Sequence, residues 1–194
     1  MGEGHCLLPP DCYIIGQTLW EDGNMRVLVI VDMQNDFIDG ALGTAEARAI
    51  LPALQKKLEE YRRAGDTVLF TRDTHTEEYL STQEGKNLPV PHCIRGTEGW
   101  QIHSSLDTVN CRIFDKPAFG SVELGRYIAS LPRLEQVELA GVCTDICVIS
   151  NAMLIKAFAP EVPVYVDGRC CAGVTSESHR RALEAMAVCQ IHVL

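Results

Sequence analysis

The sequence predicts an α/β fold in three layers, a parallel β-sheet with helices on both of its faces. Two observations lead to this prediction. Short apolar runs rich in β-branched residues, typical of strands buried on both faces of a sheet, recur along the chain. Segments with helical apolar periodicity separate them, and such alternation is typical of a parallel sheet. At 194 residues, the chain is long enough for one domain with a full core.

The first predicted elements follow one another without a long gap. Residues 27–32 form a continuously apolar strand that ends at Asp32. A carboxylate there is either a turn residue or a functional group, because open α/β sheets bind ligands at this edge. A helix follows, with Pro52 in an early turn and Gly65 just past its end. The apolar face of this helix consists of Ile50, Leu54, Leu58 and Tyr61. Residues 66–70 form the second strand.

The second half of the chain continues the alternation. The later predicted elements are a short strand within residues 111–121, a helix over 122–131 stopped by Pro132, strands at 136–140 and 163–168, an amphipathic helix over 176–188 and a closing strand within 189–194. Lys116 and Phe119 follow the third strand, and a lysine in such a loop is normally a solvated charge. The amphipathic helix turns Leu183 and Met186 towards the core.

The stretch GVCTDICV, residues 141–148, joins the fourth strand to an apolar, helix-compatible run that ends at Phe158. Its Thr144 and Asp145 predict a strand-to-helix turn with capping residues. Cys147 then lies in the first helical turn, where unpaired N–H groups favour an anion, so we expect a lowered thiol pKa. The alternative is a small buried apolar residue, which is what most cysteines are.

A long polar segment separates the second and third strands. Asp73 and His75 stand just beyond the second strand, and Glu84 and His92 follow within residues 81–100, which lack clear periodicity. Long structured loops of this kind are usually functional. Two histidines with carboxylates suit a divalent metal such as zinc. The alternative is a pair of surface histidines on a polar loop.

Composition excludes several classes of partner. The net charge is −9 and no basic run occurs, which argues against nucleic acid and anionic membranes. No stretch approaches the length of a membrane span. Nine cysteines without a secretory signal predict free thiols in a reducing cytoplasm rather than a disulfide framework. Residues 1–24 do not fit the regular pattern and are predicted to be an N-terminal extension of a domain over residues 25–194.

Three separated motifs together resemble one family. They are VDMQNDF at the end of the first strand, DKPAFG at the third and GVCTDICV at the fourth. The chain resembles the isochorismatase-like cysteine hydrolase superfamily, most closely its nicotinamidase/pyrazinamidase branch, over about residues 26–194. This resemblance implies a six-stranded parallel sheet in the order 3-2-1-4-5-6. Strands 1 and 4 then flank the point where the strand order reverses, which is where a ligand crevice forms.

The resemblance also implies the catalytic residues. The nucleophile falls on Cys147, the aspartate on Asp32 and the lysine on Lys116. Cys143 matches the position that follows a non-proline cis peptide bond, here between Val142 and Cys143. The backbone N–H groups of Cys143 and Cys147 would form the oxyanion hole.

The same resemblance implies a metal and a substrate pocket. The metal ligands match Asp73, His75 and His92, with Glu84 as the fourth in some members, and we expect zinc, or else iron or manganese. Phe37 and Phe119 match aromatic pocket positions. The chain departs from the family at one point. Many nicotinamidases have a tryptophan shortly before the histidine that corresponds to His92, where this chain has Leu88 to Pro91.

The expected activity is that of a cysteine amidohydrolase. The preferred reaction converts nicotinamide and water to nicotinate and ammonia through a Cys147 thioester. The protein is expected to be a cytoplasmic homo-oligomer, and its expected binding partner is the small amide substrate. One alternative is a related amidohydrolase that acts on a carbamoyl or ureido compound. Another is a non-catalytic redox sensor with Cys143 and Cys147 as its thiols. Isochorismatase itself is disfavoured, because its vinyl-ether chemistry needs no thiol.

Overall fold

Six parallel strands form one sheet in the computed structural model, which describes residues 25–194. The strands are β1 (Met25–Val31), β2 (Thr67–Asp73), β3 (Arg112–Lys116), β4 (Leu134–Val142), β5 (Val164–Ala172) and β6 (His192–Val193). Their order is β3-β2-β1-β4-β5-β6, and every neighbouring pair is parallel. The predicted fold class and strand order are therefore confirmed. The predicted N-terminal extension, residues 1–24, lies outside the described residues.

Helices cover both faces of this sheet. They are α1 (Asn35–Ile38), α2 (Ala45–Ala49), α3 (Leu51–Arg63), α4 (Gln83–Asn87), α5 (Val122–Ser130), α6 (Ile149–Phe158) and α7 (Ser176–Val188). Helices α1 to α3 pack in succession as one group, and α6 packs on both α5 and α7 as a second group. None of the helices described between residues 25 and 194 has the length and apolar composition that crossing a membrane requires.

Strand β1 lies at the centre of the core. Its residues Val27 to Val31 are completely buried, because helices cover the strand on both faces and β2 and β4 flank it on both sides. A strand in this position needs apolar side chains in both directions, which explains the unbroken apolar run in the sequence. The helix α3 buries Leu54, Leu58 and Tyr61, three residues of its predicted apolar face.

Strands β2, β4 and β5 are longer than the sequence predicted, and β3 ends one residue later. Strand β2 continues through Asp73 and β3 ends at Lys116, so these two polar residues lie on strand ends rather than in the loops beyond. They are register partners, Asp73 with Lys116. Parallel pairing extends both strands past the point where the apolar pattern stops. Conversely, β6 is only two residues long.

The carboxyl ends of β1 and β4 bring two segments of backbone into close contact. Val31 and Gly141 are register partners, and Gly141 has a φ of +124°, a conformation that side chains with a Cβ rarely adopt. A Cβ at Gly141 would overlap the carbonyl oxygen of Val31. The chain leaves β1 towards β2 and returns on the other side as β4, so a crevice opens at these ends.

Candidate active site

The three predicted catalytic side chains meet at this crevice. Lys116 Nζ lies 2.6 Å from Asp32 Oδ2 and 3.4 Å from Cys147 Sγ. Asp32 directly follows β1, Lys116 ends β3, and Cys147 follows β4. All three are buried, and Lys116 is only 1% exposed. The expectation that a loop lysine is a solvated charge is therefore wrong for Lys116, because its carboxylate partners lie inside the protein.

Thr71 holds the side chain of Asp32 in place and was not identified as a site residue from the sequence. Its hydroxyl donates to Asp32 Oδ1 at 2.6 Å and accepts from the Asp32 backbone N–H at 3.2 Å. Asp32 itself adopts a φ of +49°. The signal that could have found Thr71 is a hydroxyl residue within the apolar sequence of strand β2. In the structure Thr71 is completely buried, as Asp32 is. A buried polar residue in a strand needs a partner.

The electrostatics of the cluster follow from burial. Burial raises the pKa of Asp32, and the Lys116 ammonium lowers it only in part. Burial alone would lower the pKa of Lys116, but Asp32 and its neighbours raise it above the ordinary value, so this side chain is cationic. Burial also raises the pKa of Cys147, and the Asp32 carboxylate adds to that effect. The expected lowering of the thiol pKa is therefore wrong.

The nucleophile turn, residues 141–148, differs from the predicted capped helix start. The peptide bond between Val142 and Cys143 is cis, as the resemblance implied. A π-helical turn, Thr144–Val148, precedes α6 and contains Cys147. Cys143 stands at its N-cap without a side-chain capping bond, so the predicted capping roles of Thr144 and Asp145 are wrong. The carbonyl of Cys143 accepts from the N–H groups of Ile146 and Val148 at 3.1 Å and 3.0 Å, respectively.

The four candidate metal ligands also converge. One ligand atom from each of Asp73, His75, Glu84 and His92 lies within 4.8 Å of the others. Asp73 Oδ2 lies 2.9 Å from His75 Nε2 and 3.5 Å from His92 Nε2. The segment before His92 is not wholly irregular, because Glu84 belongs to the short helix α4, which Thr82 caps. The alternative of two ordinary surface histidines is wrong, since both rings are buried.

The surroundings of this cluster fit a divalent cation. His92 Nδ1 lies 2.9 Å from the Val90 carbonyl oxygen, to which it donates, so Nε2 presents a lone pair to the cluster. Burial and the nearby Asp73 carboxylate raise the pKa of Glu84, a repulsion that a cation relieves. The side chain of Gln34 holds the backbone of Asp73, donating to its carbonyl at 2.8 Å and accepting from its N–H at 2.7 Å. Two imidazoles and two carboxylates suit zinc and similar ions.

A cavity of about 430 Å³ joins the two clusters. Cys147 and the candidate metal ligands Asp73, Glu84 and His92 line it. The two predicted aromatic residues, Phe37 and Phe119, line it as well, and the rings of Phe37 and His92 have centroids 5.5 Å apart. Among the described residues that line the cavity there is no tryptophan, and Leu88 is part of the wall instead.

These features define a class of protein, the doubly wound α/β proteins with a ligand crevice at the switch point of the sheet. A family model described as an Isochorismatase domain matches residues 26–194, and the chain belongs to the isochorismatase family. The resemblance that the three sequence motifs indicated is therefore confirmed.

Similar proteins are known from both sequence and structure. The chain is 30% identical over 190 residues to the nicotinamidase/pyrazinamidase of Mycobacterium tuberculosis, an alignment covering 88% of this chain and 98% of that protein. It is 27% identical over 206 residues to the nicotinamidase of Schizosaccharomyces pombe, covering 86% and 91% of the two chains. The fold matches the pyrazinamidase of Pyrococcus horikoshii in complex with zinc, with a TM-score of 0.76, 28% identity and coverage of 87% and 98%.

Proposed function

We propose that this protein is a cysteine amidohydrolase and that nicotinamide is its substrate. One observation carries the proposal. The Lys116 ammonium lies between a buried carboxylate, Asp32, and a buried thiol, Cys147, and Cys147 lines a cavity of about 430 Å³. A thiol beside a base inside a ligand-sized cavity is the arrangement that nucleophilic catalysis requires. The similarity to named nicotinamidases supports the same reaction.

The first half of the reaction forms a thioester. Asp32 takes the proton of the Cys147 thiol as Sγ attacks the amide carbonyl carbon. The raised pKa of Cys147 keeps its resting sulfur a thiol, whereas the Lys116 ammonium 2.6 Å from Asp32 Oδ2 favours a carboxylate there, and the raised pKa of Asp32 makes that carboxylate a stronger base. The backbone N–H groups of Cys143 and Cys147 stabilise the oxyanion. Asp32 then gives the proton to the leaving nitrogen, and ammonia departs.

The second half releases the acid. Water attacks the thioester carbonyl while Asp32 takes one of its protons, and the C–S bond breaks. The proton passes to the departing sulfur and restores the thiol. Throughout, the Lys116 ammonium offsets the negative charge shared by Asp32 and Cys147, which lie in surroundings from which water is largely excluded.

The cluster of Asp73, His75, Glu84 and His92 would hold a divalent ion, which we propose to be zinc. When bound, such an ion supplies a Lewis-acidic position suited to the ring nitrogen of a pyridine carboxamide. Phe37 and Phe119 line the cavity, where they would contact a flat ring. Because no described residue of the wall is a tryptophan, we expect weaker ring stacking and a raised KM rather than a lowered kcat.

The redox-sensor alternative is disfavoured by the chemistry of the two thiols. Sensor cysteines have a low pKa and are accessible to oxidants. Burial, followed by the nearby Asp145 carboxylate, raises the pKa of Cys143 to about 12. Cys147 is 6% exposed, and its pKa is also raised.

A carbamoyl or ureido substrate remains the second candidate, since the missing tryptophan removes a feature that selects a pyridine ring. Cytoplasmic location and homo-oligomerisation stay predictions.

A substrate panel tests the proposal. Ammonia release is measured with nicotinamide, pyrazinamide, benzamide and an N-carbamoyl amino acid, with and without a chelator. Nicotinamide should exceed benzamide by more than about tenfold, because benzamide lacks the ring nitrogen that makes a polar contact in a buried site. Turnover confined to the carbamoyl compound would select the second candidate. No ammonia from any of these compounds would overturn the amidohydrolase proposal.

A further inference from the structure

The two polar residues of the nucleophile turn bind the segment that follows β5. Thr144 Oγ1 lies 2.7 Å from Nδ1 of His179, which is in the first turns of α7. The Asp145 carboxylate accepts from the backbone N–H of Val174, with the two oxygens at 3.1 Å and 3.3 Å. The residues that the sequence suggested as helix caps therefore connect the nucleophile turn to another element. The reaction described above assigns no role to these bonds.

The segment that they reach is part of the cavity wall. Ala172, Gly173 and Val174 line the same cavity as Cys143 and Cys147. The segment also packs tightly on α7, since a Cβ at Gly173 would lie 2.9 Å from Cβ of His179 and 3.0 Å from its Cα and N. Two walls of the cavity, the nucleophile turn and residues 172–174, are therefore joined through His179 and Asp145.

The hydrogen bond between Thr144 and His179 has a defined direction. Burial lowers the pKa of His179, although the nearby Asp145 carboxylate opposes this effect, so the ring is neutral near pH 7. Among the described residues the buried Thr144 hydroxyl has no other acceptor, so we assign it as the donor to Nδ1 and place the proton of the ring on Nε2. Thr144 is completely buried, so an apolar side chain that fills the place of the imidazole leaves its hydroxyl without a partner. The loss of this acceptor must therefore be met by movement of the turn.

We propose that His179 is a positioning residue for Cys147. The imidazole accepts a hydrogen bond from the Thr144 hydroxyl and so holds the nucleophile turn against residues 172–174. This contact keeps Cys147 Sγ 3.4 Å from Lys116 Nζ. His179 is not among the residues that line the cavity, so its effect is on the geometry of the thiol and not on contact with substrate. This inference rests on the proposed amidohydrolase function, and one of its two measurements is independent of any substrate.

Two substitutions of His179 separate the hydrogen bond from the bulk of the ring. His179→Asn keeps an acceptor oxygen close to the place of Nδ1, and His179→Leu removes the acceptor but fills a similar volume. The matched control is Arg180→Ala, the next residue of α7, whose guanidinium pairs with exposed Glu184 on the surface. Thermal unfolding and circular dichroism establish that each variant is folded. Each is then assayed for ammonia release from nicotinamide and for the rate at which iodoacetamide alkylates Cys147, followed by peptide mass spectrometry.

The two measurements should change together. His179→Leu should lower both kcat and the alkylation rate of Cys147 by about threefold to tenfold, the size expected for one neutral hydrogen bond, with KM within about twofold. His179→Asn and Arg180→Ala should retain both rates within about twofold. Thr144→Val should match His179→Leu, and the double variant should cost no more than either single change, because both remove the same bond.

Three results would overturn the proposal. They are wild-type rates in folded His179→Leu, equal losses in His179→Asn and His179→Leu, and additive losses in the double variant. If the wild-type protein releases no ammonia from any amide, the proposed function fails, and the alkylation rates alone still decide whether His179 positions the thiol.

Discussion

At the scale of single residues, the two cysteines of the nucleophile turn have different environments. Cys147 Sγ lies 3.4 Å from the Lys116 ammonium, whereas Cys143 would contribute only its backbone N–H to the proposed reaction. Cys147→Ala should lower ammonia release by at least about a thousandfold, because the nucleophile is gone. Cys143→Ala should keep most of the activity, since the N–H is unchanged. Comparable losses in steady-state assays of the two variants would contradict this division of roles.

The four candidate metal ligands also give a prediction at the level of residues. Elemental analysis of the purified protein should find about one zinc, iron or manganese ion per chain. His75→Ala should lower this content, because His75 Nε2 lies 2.9 Å from Asp73 Oδ2 and 3.6 Å from Glu84 Oε1, where an ion would be shared. His103→Ala is the control, a histidine that instead pairs with Asp39 and Ser105. Metal-free protein with full activity on nicotinamide would remove the metal from the proposal.

At the scale of elements, the contact between β1 and β4 determines where Asp32 and Cys147 stand. Gly141 permits it in two ways, through its φ of +124° and through the absence of a Cβ against Val31. Gly141→Ala should therefore destabilise the fold by about 2–4 kcal/mol, the sum of backbone strain and steric overlap. Activity should fall as well, since the segments that carry the proposed catalytic residues Asp32 and Cys147 begin at this contact.

Gly65→Ala is the matched control for this prediction. Gly65 also has a positive φ, +76°, but a Cβ there meets nothing within 4 Å. Its replacement should cost only the backbone strain, about 1–2 kcal/mol. Urea unfolding of both variants measures the difference, and equal losses would show that the close approach of β4 to β1 contributes nothing to stability.

At the scale of the whole molecule, a buried ion network joins the helix layer to the sheet. Lys57 of α3 pairs with Glu138 of β4, and with Asp167 of β5 at 3.0 Å. Tyr61, one turn further along α3, donates to Glu138 at 2.7 Å. Lys57→Met should destabilise the protein by about 3–5 kcal/mol, because it leaves the buried Glu138 without its cation and Asp167 with Arg169 alone. Lys56→Met, at an exposed pair with Glu60, should cost less than about 0.5 kcal/mol.

The same network predicts a dependence on pH. Burial tends to raise the pKa of Asp167, but Arg169 and Lys57 outweigh it, so the pKa is lowered in the folded protein. A lowered pKa gives stability that is present above the ordinary aspartate value near 4 and is lost as the pH falls through the folded value. The cost of Lys57→Met should therefore shrink below about pH 4 in unfolding experiments. A cost that is constant from pH 7 to pH 3 would contradict this account.

The sequence by itself determined the alternation of strands and helices, the burial of β1 and the place of Asp32 at the end of that strand. These features follow from local apolar periodicity, which reports burial directly. The motifs added the strand order through resemblance. Neither periodicity nor spacing could give the partners of a side chain, because those depend on which strand ends become neighbours.

The tertiary structure decided the rest of the candidate site. Lys116 reaches Asp32 across β2 because β3, β2 and β1 are adjacent, and a long side chain is needed to span strands about 4.8 Å apart. Thr71 and His179 contact residues of the site from distant parts of the chain, and no local pattern names their partners, Asp32 and Thr144. The pKa of Cys147 is raised, whereas the sequence suggested that it is lowered. The sequence shows the local position of Cys147 near a helix start, but its burial and the neighbouring Asp32 carboxylate result from the whole fold.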